Sequence, residues 1–268
     1  MSKRKRQEGE AESREFENNF KRFGDVDANV WQQMREDFPG RIRAGIPNLL
    51  HRLRDGLKHE DDHDSSIYTG TSGIALLHLC LHDALPQGRD LEMAEGYLRG
   101  ALCRVRGRRF TFLCGDAGPL AVGAVVFAKQ GRTAESNDCI ERLYSLHKQV
   151  LDPGLPDELL YGRTGYLYSL LYVRAKLPRA LFDQAVVERV FRAVLQSGEA
   201  LAKRGRCSSP LMYAWHEKNY IGAAHGLSGI FCLLMQISEP WAQSALTTLV
   251  KPSVDYVLQL AFPSGNFP

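Results

Sequence analysis

Three short segments carry the side chains best suited to acid–base or anion chemistry. His225 stands in Ala223-Ala-His-Gly226, Asp157 and Glu158 lie just ahead of Tyr161-Gly-Arg163, and Asp116 lies in Cys114-Gly-Asp-Ala-Gly118. Histidine has its ordinary pKa near neutrality, so His225 can take and return a proton at working pH. A histidine before glycine also serves as a packed or capping residue. A carboxylate upstream of a helix, here Asp157 or Glu158, can orient a histidine or help place a substrate. It can equally cap the helix and meet the positive end of its dipole. The sequence does not choose between these roles, nor between the two residues. Arg163 offers its fork to a carboxylate or phosphate of a ligand, or closes a salt bridge with Asp157 or Glu158 in its own loop. Asp116 reads first as a cap. Cys114 is a thiol at a helix start, where a lowered pKa can arise, or it packs as a small apolar group.

These residues sit on a repeat. Four times the chain writes Gly-x-x-Gly and then turns apolar: Gly70-Thr-Ser-Gly73, Gly115-Asp-Ala-Gly118, Gly162-Arg-Thr-Gly165 and Gly226-Leu-Ser-Gly229. The spacings are 45, 47 and 64 residues. After each motif the apolar residues follow helical spacing, clearest in Ile230, Leu233, Leu234 and Ile237, and the segments are apolar on most faces. Between them, Asp90 to Val105, Ala134 to Val150, Phe182 to Lys203 and Ala242 to Leu260 read as helices with one wet face. Alternation of a buried and an outer helix about every 45 residues predicts an all-α chain, an α/α toroid or solenoid. If the inner helices run parallel, their N-termini gather at one rim, where free backbone N–H groups and dipole ends favour an anion or thiolate. Tyr68 and Tyr161, each just before a glycine motif, can line that rim or simply pack. Tyr213, Trp215, His216 and Tyr220 form an aromatic run expected to hold the helix start at His225.

Composition bounds the alternatives. The 268 residues carry 34 basic and 31 acidic side chains, a net charge of +3, so no strong polyanion partner is implied. A 44% hydrophobic share supports a sizeable core. No apolar run approaches the ~20 residues of a membrane-spanning helix. The start, Met1-Ser-Lys-Arg-Lys-Arg, turns acidic, so no secretory signal is expected, and residues 1–22 read as a charged, mobile tail. Six scattered cysteines without a Cys-x-x-Cys pair fit reduced thiols in the cytosol. Arg104, Arg106, Arg108 and Arg109 read as a solvated turn, with contact to a membrane lipid or a phosphorylated partner as the functional alternative. The aromatics are not interleaved with basic residues in the way nucleic-acid stacking requires, so that class is set aside.

The longer blocks around these motifs carry a resemblance. They are Tyr68-Thr-Gly-Thr-Ser-Gly-Ile, Thr111-Phe-Leu-Cys-Gly-Asp-Ala-Gly-Pro-Leu-Ala-Val and Pro156-Asp-Glu-Leu-Leu-Tyr-Gly-Arg-Thr-Gly-Tyr. Tyr220-Ile-Gly-Ala-Ala-His-Gly-Leu-Ser-Gly-Ile and Lys251-Pro-Ser-Val-Asp-Tyr-Val follow, with Pro263-Ser-Gly-Asn-Phe-Pro at the end. From about residue 14 onward the chain resembles the lanthionine synthetase C-like (LanC-like) family, its eukaryotic members in particular. The resemblance implies a double-layered α/α toroid of seven helical hairpins, of which four glycine motifs account for about four to five over residues 23–268. The family's zinc ligands, two cysteines and a histidine, come from Trp-Cys-His-Gly and Cys-His-Gly motifs downstream of the block that ends here. This sequence holds no Cys-His pair, so the expectation is an N-terminal part of the toroid, truncated before the metal ligands, with no metal-binding residue of its own.

The resemblance also implies chemistry. Zinc lowers the pKa of a bound thiol; bacterial members use it to close thioether rings, and eukaryotic members add the glutathione thiol to electrophiles, dehydroalanine and dehydrobutyrine included. On that footing glutathione is the co-substrate, and dehydroamino acid-bearing or phosphorylated proteins and peptides are the partners. His225 is then the group that protonates the enolate, with Asp157 or Glu158 as the active-site carboxylate and Arg163, Asp116 and Tyr161 as substrate contacts. The implied location is cytoplasmic, with the plasma-membrane periphery or the nucleus as further sites. A second reading is a non-catalytic glutathione-binding or adaptor protein. A third rests on the toroid alone: a glycosidase, which needs two facing carboxylates. A ring cut after four or five hairpins leaves helix faces unpaired, so self-association is expected of the chain.

Overall fold

The computed structural model describes residues 23–57, 63–85, 88–178, 180, 182–263 and 265–268. The tail expected over 1–22 lies outside them. The chain divides into two units, residues 1–60 and 61–268. In the first, a short 3-10 turn (Phe23–Asp25) leads into α1 (Ala28–Leu57), a helix with prolines at 39 and 47 and no buried residue. The Asp27 carboxylate accepts a hydrogen bond from Asn29 N at 2.7 Å and so caps its first turn.

The second unit alternates two kinds of helix. The apolar segments predicted after each glycine motif form α2 (Thr71–Ala84), α4 (Ala117–Lys129), α7 (Arg163–Lys176) and α9 (Leu227–Leu234). Every residue of α4 from Ala117 to Phe127 is buried, and α7 is nearly as enclosed. On α2 only Ser72, Ala75, His78 and Leu79 are buried, so it is less enclosed than its composition predicts. It is the first inner helix of this unit and has an inner neighbour, α4, on one side. The amphipathic segments form the outer partners: α3 (Asp90–Cys103), α5 (Thr133–Ser145) with the single turn α6 (His147–Val150), and α8 (Gln184–Gly205). The last partner is interrupted, running through α10 (Gln243–Ala245), a π-turn (Leu246–Val250) and α11 (Lys251–Leu258). Pro252 sits in the first turn of α11, and its missing N–H accounts for the widened turn before it. These are four hairpins of an α/α toroid. Among the described residues there is no strand, and no helix is long and apolar enough to cross a membrane.

The inner helices start at one end. Tyr68 N bonds Leu113 O at 2.9 Å, Phe112 N bonds Gly165 O at 3.1 Å, and Leu159 N bonds Ala224 O at 3.2 Å. The loops leading into α2, α4, α7 and α9 are thus stitched side by side, while α2 packs on α4, α4 on α7 and α7 on α9. Neighbouring helices that begin together run parallel, and their dipoles point at a common rim.

The glycine repeat has a steric cause. A Cβ on Gly165 would lie 2.1 Å from the carbonyl oxygen of Leu159, and one on Gly229 would lie 1.9 Å from that of Ala223. The same carbonyl, six residues back, lies under Gly73 and Gly118. Each loop curls under its own helix start, which only a residue without Cβ permits. Gly165→Ala is expected to destabilise the unit by about 1–3 kcal/mol, readable as a lowered midpoint in urea. An unchanged midpoint would show that the loop yields freely.

Burial also sorts the thiols. All six cysteines are unpaired; Cys80, Cys103 and Cys232 are exposed, while Cys139 lies on the buried face of α5, where desolvation pushes its thiol up to about 11. In the folded protein a maleimide is expected to label the three exposed thiols and to spare Cys139. Labelling of Cys139 at the rate of the others, followed by peptide mass mapping, would contradict this packing.

Candidate active site

The loops at the rim bring His225 and Glu158 together from 67 residues apart. His225 Nδ1 lies 2.8 Å from Glu158 Oε2. The Glu158 side chain is 2% exposed and also accepts from Leu160 N at 2.8 Å and Tyr161 N at 2.5 Å. A carboxylate held by two backbone donors has only acceptors to offer, so Nδ1 carries the hydrogen and Nε2 of His225 is left to exchange a proton. The ring remains reachable, 28% exposed. It stacks on Trp215 with centroids 5.3 Å apart and planes 4° apart, and on Tyr161 at 6.3 Å and 13°. Tyr220 closes another side at 6.1 Å.

Trp215 is delivered by a turn the sequence does not announce. Trp215 N bonds Lys218 O at 2.9 Å and Lys218 N bonds Trp215 O at 3.0 Å. The two residues between them, His216 and Glu217, have φ of 47° and 62°. This is the geometry of a type I′ turn, normally written Asn-Gly. Non-glycine residues there cost about 1–3 kcal/mol each. Of the rest of the aromatic run, Tyr213 is core: its hydroxyl donates to Val194 O at 3.1 Å and its ring fills the gap at Gly198.

The neighbouring carboxylate points elsewhere. Asp157 Oδ1 accepts from Arg163 Nη1 at 2.6 Å and its Oδ2 from Ser197 Oγ at 2.5 Å. Arg163 is 3% exposed, and its remaining donors go to the carbonyls of Val150 (3.0 Å), Leu155 (2.9 Å) and Asp152 (2.6 Å). Burial pushes the Asp157 carboxyl up, against the opposing pull of Arg163 and Ser197. Of the two carboxylates the sequence left open, Glu158 meets His225, while Asp157 joins Arg163 in a buried pair that ties the 150–157 loop to α7. The expected ligand contact of Arg163 is replaced by the salt bridge within its own loop.

Tyr161, expected at the rim, is 43% exposed and faces two places at once. Beside the His225 stack it lines a cleft of about 500 Å³ with Tyr68, Cys114, Asp116 and the arginines at 104, 106, 108 and 109. Asp116 does not cap α4 through its side chain. Its Oδ2 accepts from Arg106 N at 3.0 Å and Gly107 N at 2.6 Å, so it holds the arginine loop in shape. Burial pushes the Cys114 thiol up, with Tyr161 opposing, so the lowered pKa open to a thiol at a helix start does not arise. The arginine run, read as a solvated turn, is one wall of this cleft. The signal available in sequence was the arginines' position in the loop ahead of the Gly115-Asp-Ala-Gly118 motif. Among the described residues no group of three His, Cys, Asp or Glu side chains is gathered to hold a metal ion.

A family model described as lanthionine synthetase C-like protein matches residues 61–268, the whole of the second unit. The glutathione S-transferase LANCL1 of Danio rerio is 44% identical over 247 residues, which cover 91% of this chain. The chain spans 60% of that relative's length. The family match over most of the sequence and this identity agree with the helical toroid, and the chain belongs to the lanthionine synthetase C-like family.

Proposed function

We propose that the chain takes part in glutathione transfer, the addition of the glutathione thiol to electrophiles and to dehydroalanine or dehydrobutyrine in peptides and proteins. The 44% identical relative is a glutathione S-transferase, which supports glutathione as co-substrate. The observation that carries the chemistry is the His225–Glu158 contact at 2.8 Å beneath an open ring stack. In the addition, sulfur bonds to the β-carbon of the dehydroamino acid and the C=C electron pair moves onto the carbonyl as an enolate. His225 Nε2 takes the proton released by the thiol and returns it to the α-carbon, so that S and H are added across the double bond with nothing left over. Glu158 keeps the imidazole in the required tautomer and stabilises its charged form between the two transfers. Tyr161, Trp215 and Tyr220 confine the ring and shield it on three sides. The zinc of the family finds no donor set among the described residues, and no step here runs through it. The unpaired cysteines fit a reducing compartment such as the cytosol.

The test is direct. Protein, glutathione and a dehydroalanine peptide are incubated and the peptide is followed by mass spectrometry. Enzyme-dependent gain of one glutathione supports the reading; binding of glutathione without any adduct above the uncatalysed rate favours a non-catalytic glutathione-binding protein instead.

A further inference from the structure

We infer that Trp215 is a positioning residue for proton transfer at His225: its indole face, aimed by a strained turn, sets the plane of the imidazole and stabilises the ring while it carries both protons. That role rests on the proposed glutathione transfer. The contact behind it does not.

One hydrogen bond leaves an imidazole free to turn. The bond from Nδ1 to Glu158 Oε2 anchors one edge of the His225 ring at 2.8 Å and allows rotation about that line. The lone pair of Nε2 lies in the ring plane, so a proton passed between sulfur and carbon needs that plane fixed. Trp215 supplies the constraint, with its indole 4° from the plane of His225 and the centroids 5.3 Å apart. Tyr161 lies 14° from the indole at 5.6 Å, so three rings share one orientation. A cation within about 6 Å of an aromatic centroid is drawn to the negative face of the ring, and indole is the strongest such partner. The doubly protonated imidazole meets that condition at Trp215. Glu158, Tyr161 and Tyr220 are the titratable groups that meet the ring, while His216 meets the indole edge-on at 4.3 Å.

The turn is the independent observation. His216 and Glu217 are exposed and stand at φ 47° and 62°, where side chains other than glycine are strained. Such strain persists where the structure around it holds it in place. The Glu217 side chain makes no hydrogen bond or ion pair among the described residues, and the His216 ring packs on Trp215. The closing pair of bonds joins Trp215 and Lys218, so the strained conformation fixes the residue that carries the indole. Two residues earlier Tyr213 is locked in the core by its bond to Val194 O at 3.1 Å, which gives the turn a rigid base.

Intrinsic fluorescence reads the contact without turnover. A protonated imidazole against an indole quenches its emission, so the parent is expected to lose intensity from about pH 8 to about pH 5. The chain has three tryptophans, and the share due to Trp215 is what Trp215→Phe lacks. That share should vanish in His225→Asn, and in Glu217→Pro, where proline holds φ at about −65° and breaks the turn. It should persist in His216→Asn/Glu217→Gly, the pair a type I′ turn prefers, which removes the other imidazole on the indole. In the dehydroalanine-peptide assay Trp215→Leu and Glu217→Pro should each lower kcat by about 2–30-fold with KM little moved, and Trp215→Tyr should recover most of the loss. Each variant is expected to melt as the parent does. A quench that survives His225→Asn, or that disappears with His216, overturns the inference. So does a Trp215→Leu enzyme with the kcat of the parent, or a loss confined to KM. The expected quench pattern in a protein that forms no adduct would leave the stack standing and count against glutathione transfer alone.

Discussion

His225→Asn is expected to slow glutathione addition to a dehydroalanine peptide by about 10²–10⁴-fold in kcat, the range of a positioned acid–base group. The asparagine keeps a donor toward Glu158 Oε2, which His225 Nδ1 meets at 2.8 Å, but it cannot carry a proton between sulfur and carbon. Because the imidazole is needed in the transition state more than in the bound complex, KM for the peptide should move little. Glu158→Gln tests the partner as a positioning residue. Its effect should appear in kcat, and the double variant His225→Asn/Glu158→Gln should be no slower than His225→Asn alone, since Glu158 acts through the histidine. Additive losses would assign Glu158 to holding the loop through Leu160 N and Tyr161 N instead. A His225→Asn enzyme as fast as the parent would remove the proton-transfer role altogether.

The fold was legible because its rule is short-range and steric. A carbonyl oxygen about 2 Å from where a Cβ would stand demands glycine, and the demand recurs at each inner helix, so the motif marks every start. The apolar composition of α4 and α7 follows from their enclosure in the same way. The site was legible only to the level of the loop. Asp157 and Glu158 are adjacent, yet their side chains go to different partners, Asp157 to Arg163 and Ser197 and Glu158 to His225. Which one faces His225 depends on Arg163 and Ser197 anchoring the other, and Ser197 lies 40 residues away. Arg106, Arg108 and Arg109 of the arginine run are exposed, as a solvated turn requires, but the concavity beside them was not legible, because it comes from the 63–69 loop, brought alongside by the bond from Tyr68 N to Leu113 O. Trp215 was hidden by its turn, since His216-Glu217 is not a sequence that advertises two left-handed residues.

Arg163→Met should produce the largest loss of stability, about 3–5 kcal/mol, because it removes one partner of a buried ion pair and leaves the other in place. Methionine approximates the volume of the arginine stem, so the cavity contribution is small. What remains is Asp157, 7% exposed, facing apolar surroundings with Ser197 as its donor, and the carbonyls of Val150, Leu155 and Asp152 without the guanidinium that bonds them. For a unit of this size the midpoint of thermal unfolding should fall by about 10 °C. The loss should also depend on pH, with a definite sign. Burial already raises the Asp157 carboxyl in the parent, and without Arg163 it rises further. The folded variant then binds a proton that the unfolded chain, with an ordinary carboxylate, has released, so stability falls as pH rises between the two pKa values. Denaturant titrations of Arg163→Met should therefore show a smaller deficit in mildly acidic buffer than in mildly alkaline buffer. Arg163→Met/Asp157→Asn should recover part of the loss and abolish that pH dependence, because no charge is then left to bury. A deficit equal at both pH values, unchanged by Asp157→Asn, would place the cost in the three carbonyls and make Arg163 a backbone clamp whose pairing with Asp157 is incidental.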